Sequence, residues 1–358
     1  MSELATEQPV CVTGASGFIG SWIVERLLAR GYRVRGTVRD PKKARSVDHL
    51  KALPGAAERL ELVAAELQDP ASLEAAVVGC EVVMHTASPY VLTVDDPQRD
   101  LVDPAVEGTR NALAACRKAG SVKRVVLTSS MAAVTDEPDS TRVLTEADWN
   151  EGSSLERNPY YYSKTLAEKA AWRFVEEEDV AFDLVVINPF MVIGPSLSPG
   201  LNTSNGVFVG LVGGEYPGIV SLTWGMVDVR DVADAHVRAM EVPEASGRYL
   251  CANTTISMRE AVRLLREKGW GEGRKLPKLG LDGSVGDMLV KLGAQFQPKG
   301  VRSYLRTHIG RVPRFDHAKI VDELGLAFRP LEESILETMD DLVKWGHLDP
   351  LPSEPTSA

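Results

Sequence analysis

Short apolar runs alternate with amphipathic stretches through the first half of the chain. PVCVTG (residues 9–14) has the pattern of a strand, and FIGSWIVERLLARG (18–31) that of an amphipathic helix closed by glycine. YRVRGTVR, RLELVAAEL, CEVVMHTA and VKRVVLTSS predict further strands, with a helix over residues 103–120 before the last. These strands are valine-rich and almost continuously apolar, as expected where both faces of a sheet are covered. Strands alternating with helices imply right-handed crossovers and a parallel sheet. A long helix is predicted over 160–178 and a sixth strand over FDLVVINP, ending at Pro189.

The rhythm then breaks. Residues 190–227 are rich in Gly, Pro, Ser and Asn and read as loops around a cleft. A helix over 231–240 and a strand over 248–253 return to the main sheet, and helices follow over 257–268, 316–325 and 331–345. The expected fold is a Rossmann-type, doubly wound α/β domain over 1–190, completed by 228–256. A smaller, mostly helical substrate domain takes 191–227 and 257–350, and residues 351–358 form a disordered tail.

Composition changes this picture little. The chain has 358 residues and a net charge of −10, which disfavours nucleic acid or an anionic membrane as partner. Its four cysteines lack metal-ligand or CxxC spacing, and neither a leader nor an apolar span is evident. These features suggest a cytoplasmic protein with reduced thiols and no metal, either a monomer or a homodimer.

The first strand runs into Gly14-Ala15-Ser16-Gly17-Phe18-Ile19-Gly20. Glycines at this spacing, after a strand and opening a helix, permit a tight turn, close approach of a pyrophosphate and packing of helix on strand. The helix N-terminus presents free N–H groups to the phosphates. The second strand ends in Arg39-Asp40-Pro41. Asp40 before Pro41 predicts a helix N-cap, which gives the acid a structural task. Arg39, with Lys42, Lys43 and Arg45, then forms a cationic cluster suited to a 2′-phosphate, and so to NADPH rather than NADH.

Among the tyrosines, Tyr160 alone is followed four residues later by a lysine, Lys164, which places both on one helix face. The pair lies about 30 residues beyond the strand end Thr128-Ser129-Ser130. Carbonyl reduction requires a hydride on carbon and a proton on oxygen. A phenol beside an ammonium can give up that proton near neutrality, and a serine hydroxyl can bind the developing oxyanion. Tyr160, Lys164 and Ser130 supply these groups, and Lys164 would also reach the nicotinamide ribose.

These stretches, with YSKTLAEKAAW and RGTVRDP, resemble the extended short-chain dehydrogenase/reductase family over roughly residues 8–270. The branch they resemble holds dihydroflavonol and cinnamoyl-CoA reductases and related microbial aldehyde and ketone reductases. The resemblance implies the triad Ser130, Tyr160 and Lys164, with Arg39 and Arg45 near the 2′-phosphate and Leu67 near the adenine. It implies Thr86, Ala87 and Pro189 along the nicotinamide half, with Ser88, Thr128 and Val192 also among the cofactor-binding residues. The chain departs from the branch at Glu66, where an aspartate is usual, and at Thr135, where a flavonoid-contacting asparagine is usual. Met191, Phe208 and Trp224, with Thr135, are the expected substrate-side residues, and the expected substrate is an apolar or aromatic carbonyl. The alternatives are a nucleotide-sugar epimerase or dehydratase on the same fold, to which Thr135-Asp136-Glu137 is similar, and a non-catalytic NADP-binding redox sensor.

Overall fold

The structure is a computed structural model that describes residues 8–88 and 94–351. The N-terminal residues read as lacking a leader, and residues 352–358 of the expected tail, lie outside these residues.

The chain opens with β1 (Val10–Thr13), α1 (Phe18–Ala29), β2 (Val34–Val38), α2 (Ala44–Lys51), α3 (Ala56–Arg59) and β3 (Leu60–Ala64). Next come α4 (Pro70–Val77), β4 (Val82–His85), α5 (Asp103–Ala119), β5 (Arg124–Thr128), β6 (Val143–Leu144) and α6 (Pro159–Glu177). Then follow β7 (Asp183–Pro189), β8 (Met191–Ile193), α7 (Thr203–Gly213), β9 (Ile219–Val220), β10 (Thr223–Asp228) and α8 (Val229–Glu241). The last third holds β11 (Gly247–Cys251), β12 (Thr254–Ser257), α9 (Met258–Glu267), β13 (Gly280–Leu281) and α10 (Ser284–Gly293). It ends with α11 (Lys299–His308), β14 (Arg314–Phe315), α12 (Ala318–Leu324) and α13 (Leu331–Lys344).

Seven parallel strands form the main sheet, in the order β11-β7-β5-β4-β1-β2-β3. The chain builds outward from β1 to β2 and β3, then returns to β4 and builds the other way. The ends of β1 and β4 therefore flank a crevice at the switch point, where such sheets take their ligands. Their register sets Thr13 opposite His85.

One sheet face is covered by α1, α8 and α12, through Ile23, Leu27, Val232 and Ile320 among others. The opposite face is covered by α4, α5 and α6, through Leu73, Leu113 and Ala171. Local signals set the helix ends: Pro104 lies in the first turn of α5 and Gly120 closes it at φ 64°, and Ser257 and Glu260 form a reciprocal capping box on α9.

Beyond β7 the structure corrects the sequence reading. Residues 190–227 are not mainly loops: they form β8, β10 and the helix α7. Strands β12, β10 and β8 make a second sheet beside a second apolar core of Phe208, Leu211, Trp224, Met258 and Met339. Because β12 belongs to that sheet, the return to the main sheet ends at β11. Helices α10 and α11 have no counterpart in the predicted elements. Asp40 is also corrected. It does not cap a helix: its Oδ1 accepts the Lys42 amide at 2.8 Å in a turn, and α2 starts only at Ala44, after Lys43.

Candidate active site

The glycine turn takes the shape its composition requires. Gly14 sits at φ +66°, and a Cβ there would come within 3.0 Å of the Ala87 backbone. A Cβ on Gly20 would lie 2.3 Å from the Gly14 carbonyl oxygen, so the first turn of α1 can seat on β1 only with glycine there. Gly17 is exposed at the N-cap of α1, with Ser16 beside it, and Phe18 and Ile19 begin the helix.

Thr13 ties the two sides of the crevice together. Its hydroxyl oxygen accepts the Thr86 and Ala87 amides, both at 3.1 Å, so its proton goes to His85 Nδ1 at 2.9 Å. Burial depresses the His85 pKa to about 4, with a contribution from the Lys164 charge, which keeps the ring a neutral acceptor. Thr86 returns a hydrogen bond to the Thr13 carbonyl at 2.5 Å. Leu67, expected near the adenine, packs against Gly108, its carbonyl accepts from Asn111 at 2.8 Å, and Glu66 beside it is exposed. Arg39 and Arg45 are exposed, and among the described residues neither has an ion-pair partner.

The end of β5 and the first turns of α6 carry the candidate triad. Ser130 leaves β5 in extended conformation, and its Oγ accepts the Ala132 amide at 3.1 Å. Tyr160 and Lys164 lie one turn apart on α6, with the Lys164 ammonium 5.8 Å from the centre of the Tyr160 ring. Lys164 is 9% exposed and donates to Ser88 Oγ at 2.7 Å. Among the described residues no carboxylate pairs with it, and burial lowers its pKa to about 8. Thr128 donates to His236 Nε2 at 2.6 Å, because His236 Nδ1 is committed to the Val232 carbonyl at 2.7 Å.

One further turn along α6, Glu168 holds this arrangement from below. Its carboxylate is inaccessible to solvent and pairs with Arg248 of β11 at 2.6 Å. It also accepts from Ser129 Oγ at 2.5 Å and Asn188 Nδ2 at 2.7 Å. Asn188 in turn donates to the Ser130 carbonyl at 3.2 Å. The sequence reading missed Glu168, Asn188 and Arg248. The Tyr160-Lys164-Glu168 spacing was visible as one helix face, but Arg248 lies 80 residues away, brought in by β11.

The expected substrate-side residues divide. Thr135 and Met191 are half-buried, but Phe208 is fully buried and Trp224 is 7% exposed, both in the second core rather than on an open wall. Pro189 and Val192 are buried at the end of β7 and in β8. Asp136 and Glu137, the acids of the dehydratase-like stretch, are both paired with Arg157, the former at 2.8 Å. Among the described residues no cluster of potential metal ligands occurs. None of their four cysteines forms a disulfide, and no helix is long and apolar enough to cross a membrane.

The model of the NAD dependent epimerase/dehydratase family matches residues 10–252. The chain is 43% identical to a cinnamoyl-CoA reductase of Medicago truncatula, covering 93% of this chain and 95% of that protein. It is 40% identical to tetraketide alpha-pyrone reductase 1 of Arabidopsis thaliana, over 95% and 96% of the two chains. Among solved structures it is similar to Gre2 of Candida albicans in complex with NADPH, at a TM-score of 0.78 and 30% identity, covering 95% of this chain and 99% of that one. The chain therefore belongs to the NAD dependent epimerase/dehydratase family, in the branch of extended short-chain dehydrogenases/reductases that holds the cinnamoyl-CoA and dihydroflavonol reductases.

Proposed function

We propose that the protein is an NADPH-dependent reductase that converts an apolar or aromatic aldehyde or ketone to the alcohol, with Tyr160 as proton donor. The observation that carries this reading is Lys164, a buried ammonium with no carboxylate partner among the described residues. Such a charge is unfavourable for folding and is retained where a neighbouring group needs it.

The residues present fit the cofactor. The Gly14–Gly20 turn leaves the space a pyrophosphate needs, and Arg39 and Arg45 are free to meet a 2′-phosphate. Thr86, Ala87, Ser88, Lys164 and Pro189 would hold the nicotinamide half. When bound, NADPH supplies the hydride.

The chain's own residues manage the oxygen. Ser130 Oγ donates to the carbonyl oxygen and strengthens that bond as negative charge develops. Tyr160 transfers its phenolic proton to the same oxygen, and the Lys164 ammonium stabilises the phenolate left behind. Thr135 and Met191 border the substrate, while Phe208 and Trp224 shape the cleft from within the core. The second, mostly helical lobe is the substrate domain in this reading. The relatives' names, a cinnamoyl-CoA reductase and a tetraketide pyrone reductase, support an apolar carbonyl. Pairing of both Asp136 and Glu137 with Arg157 speaks against dehydratase chemistry at those acids.

The test is NADPH consumption, followed at the nicotinamide absorbance, against a panel of aromatic and aliphatic aldehydes, ketones and thioesters. Wild type should turn over at least one class, and Tyr160→Phe should lower kcat by about 100- to 10,000-fold with NADPH affinity unchanged. Near-full activity in Tyr160→Phe, or inertness of the wild type towards the whole panel alongside tight binding of a nucleotide sugar, would overturn the reading.

A further inference from the structure

Catalytic geometry at Tyr160 depends on how α6 begins, and it begins unusually. Asn158, two residues before the tyrosine, has φ 50° and ψ 58°. Among the described residues it is the one non-glycine residue with positive φ. That conformation is unfavourable for an L-residue, though asparagine tolerates it best, and it persists where the surroundings fix it. Asn158 is 3% exposed and its side chain makes no helix-capping bond.

Its hydrogen bonds lead elsewhere. The backbone amide donates to Ser303 Oγ of α11 at 2.9 Å, and the side-chain amide donates to Thr307 Oγ1 of α11 at 3.1 Å. The same amide group reaches the Asp136 carbonyl at 3.3 Å. Asp136 is itself buried and paired with Arg157. Within the first turn of α6, Tyr161 packs against His308 of α11, with ring centres 5.7 Å apart.

The segment that makes these contacts also braces the loop beyond Ser130. Arg311 pairs with Glu137 and donates to the Pro138 carbonyl at 3.3 Å, the Val312 amide donates to Ser140 Oγ at 2.9 Å, and β14 pairs with β6. Residues 303–315 therefore span the two chain segments that carry Ser130 and Tyr160.

We propose that Asn158 is a positioning residue for Tyr160: its left-handed backbone, clasped by Ser303 and Thr307 of α11 and by Asp136, sets the register in which the tyrosine leaves the first turn of α6. The reading rests on Tyr160 as the proton donor. Lys164 is anchored one turn further along α6, buried and bonded to Ser88. A change at Asn158 therefore moves the tyrosine relative to the lysine, not the helix as a whole. Misplacement by about 1 Å can lower a rate about 100-fold.

The test uses the full chain and a carbonyl it reduces. Asn158→Ala removes the side-chain bonds and opposes the left-handed backbone. Thr307→Val removes the hydroxyl that accepts the Asn158 side-chain amide, leaves the Ser303 contact and the Asn158 backbone in place, and guards against a folding failure of the first variant. Both should lower kcat, by about 10- to 100-fold for the alanine variant, with the NADPH dissociation constant within about twofold of wild type. Both should also shift the pH dependence of kcat, because the phenol no longer faces the ammonium at its native distance. Asn158→Gly, which keeps the backbone conformation, should recover part of the alanine loss. A wild-type kcat and pH profile in Thr307→Val would overturn the proposal. So would a fall in kcat with an unmoved pH profile and a parallel loss of NADPH binding, the signature of general destabilisation. Activity retained in Tyr160→Phe would instead remove the reading on which the clasp depends.

Discussion

At the scale of single residues, the site is organised by which protons are already committed. Thr13 has both lone pairs occupied and so must donate to His85. His236 spends Nδ1–H on a backbone carbonyl and so must accept from Thr128. Lys164 differs in keeping donors beyond its bond to Ser88, in a setting where burial brings its pKa down to about 8. The ammonium is present below that pH and is lost above it. The kcat for reduction should therefore be level from about pH 6 to 7.5 and decline as pH rises through about 8, towards tenfold per unit. A pH profile measured with saturating NADPH checks this, and a rate level to pH 9.5 would contradict it.

At the scale of elements, the end of β5 and the helix α6 are locked by one buried ion pair. Glu168 and Arg248 are 0% and 6% exposed at the side chain, and the pair is hydrogen-bonded on both sides. The Arg248 guanidinium also lies 4.0 Å above the Trp149 ring. Removing one partner leaves the other charge buried and unpaired, which destabilises by about 3–5 kcal/mol. Glu168→Leu should therefore lower the urea midpoint strongly, and Glu168→Leu combined with Arg248→Met should recover much of the loss. If the double variant were as unstable as the sum of the two singles, the two residues would not act as a pair. Because Ser129 and Asn188 lose a common acceptor, the single variant should also lower kcat.

At the scale of the whole molecule, three buried histidines set the response to acid. His85, His236 and His308 each have a pKa lowered to about 4, burial being the largest cause. In the unfolded chain a histidine titrates near 6.5, so between about pH 6.5 and 4 the unfolded state takes up protons that the fold refuses. Stability is full above 6.5 and falls as pH falls, by up to about 1.4 kcal/mol per histidine per pH unit. Asp231, raised to about 6 by burial despite its pairing with Arg329, works in the opposite sense and offsets about one of the three. Urea midpoints should be level from pH 8 to 7 and drop between 6.5 and 5. A midpoint constant over that lower range would show that these rings accept protons in place.

What the sequence determined by itself is what depends on neighbours along the chain. The GxxGxxG turn, the Tyr160-Lys164 spacing and the alternation of valine-rich strands with helices are local signals, and each survives into the fold: Gly14 holds the positive φ its place requires, and α6 carries both side chains on one face. The run from 190 to 227 reads as loop in the sequence because α7 is apolar on most sides and glycine-rich, so it has no periodic stripe. It is a helix because the second core surrounds it. Helix α10 lies at the surface, with none of its residues buried and Val285, Met288, Leu289 and Leu292 exposed. Phe208 could be recognised as apolar but not assigned to core or cleft, because that depends on β8, β10 and α13 closing over it. Asn158 and Arg248 carry no local signal, and Glu168 only its place on the Tyr160-Lys164 face of α6. Their roles come from partners between 20 and 149 residues away, and only the tertiary structure brings such pairs within hydrogen-bonding distance.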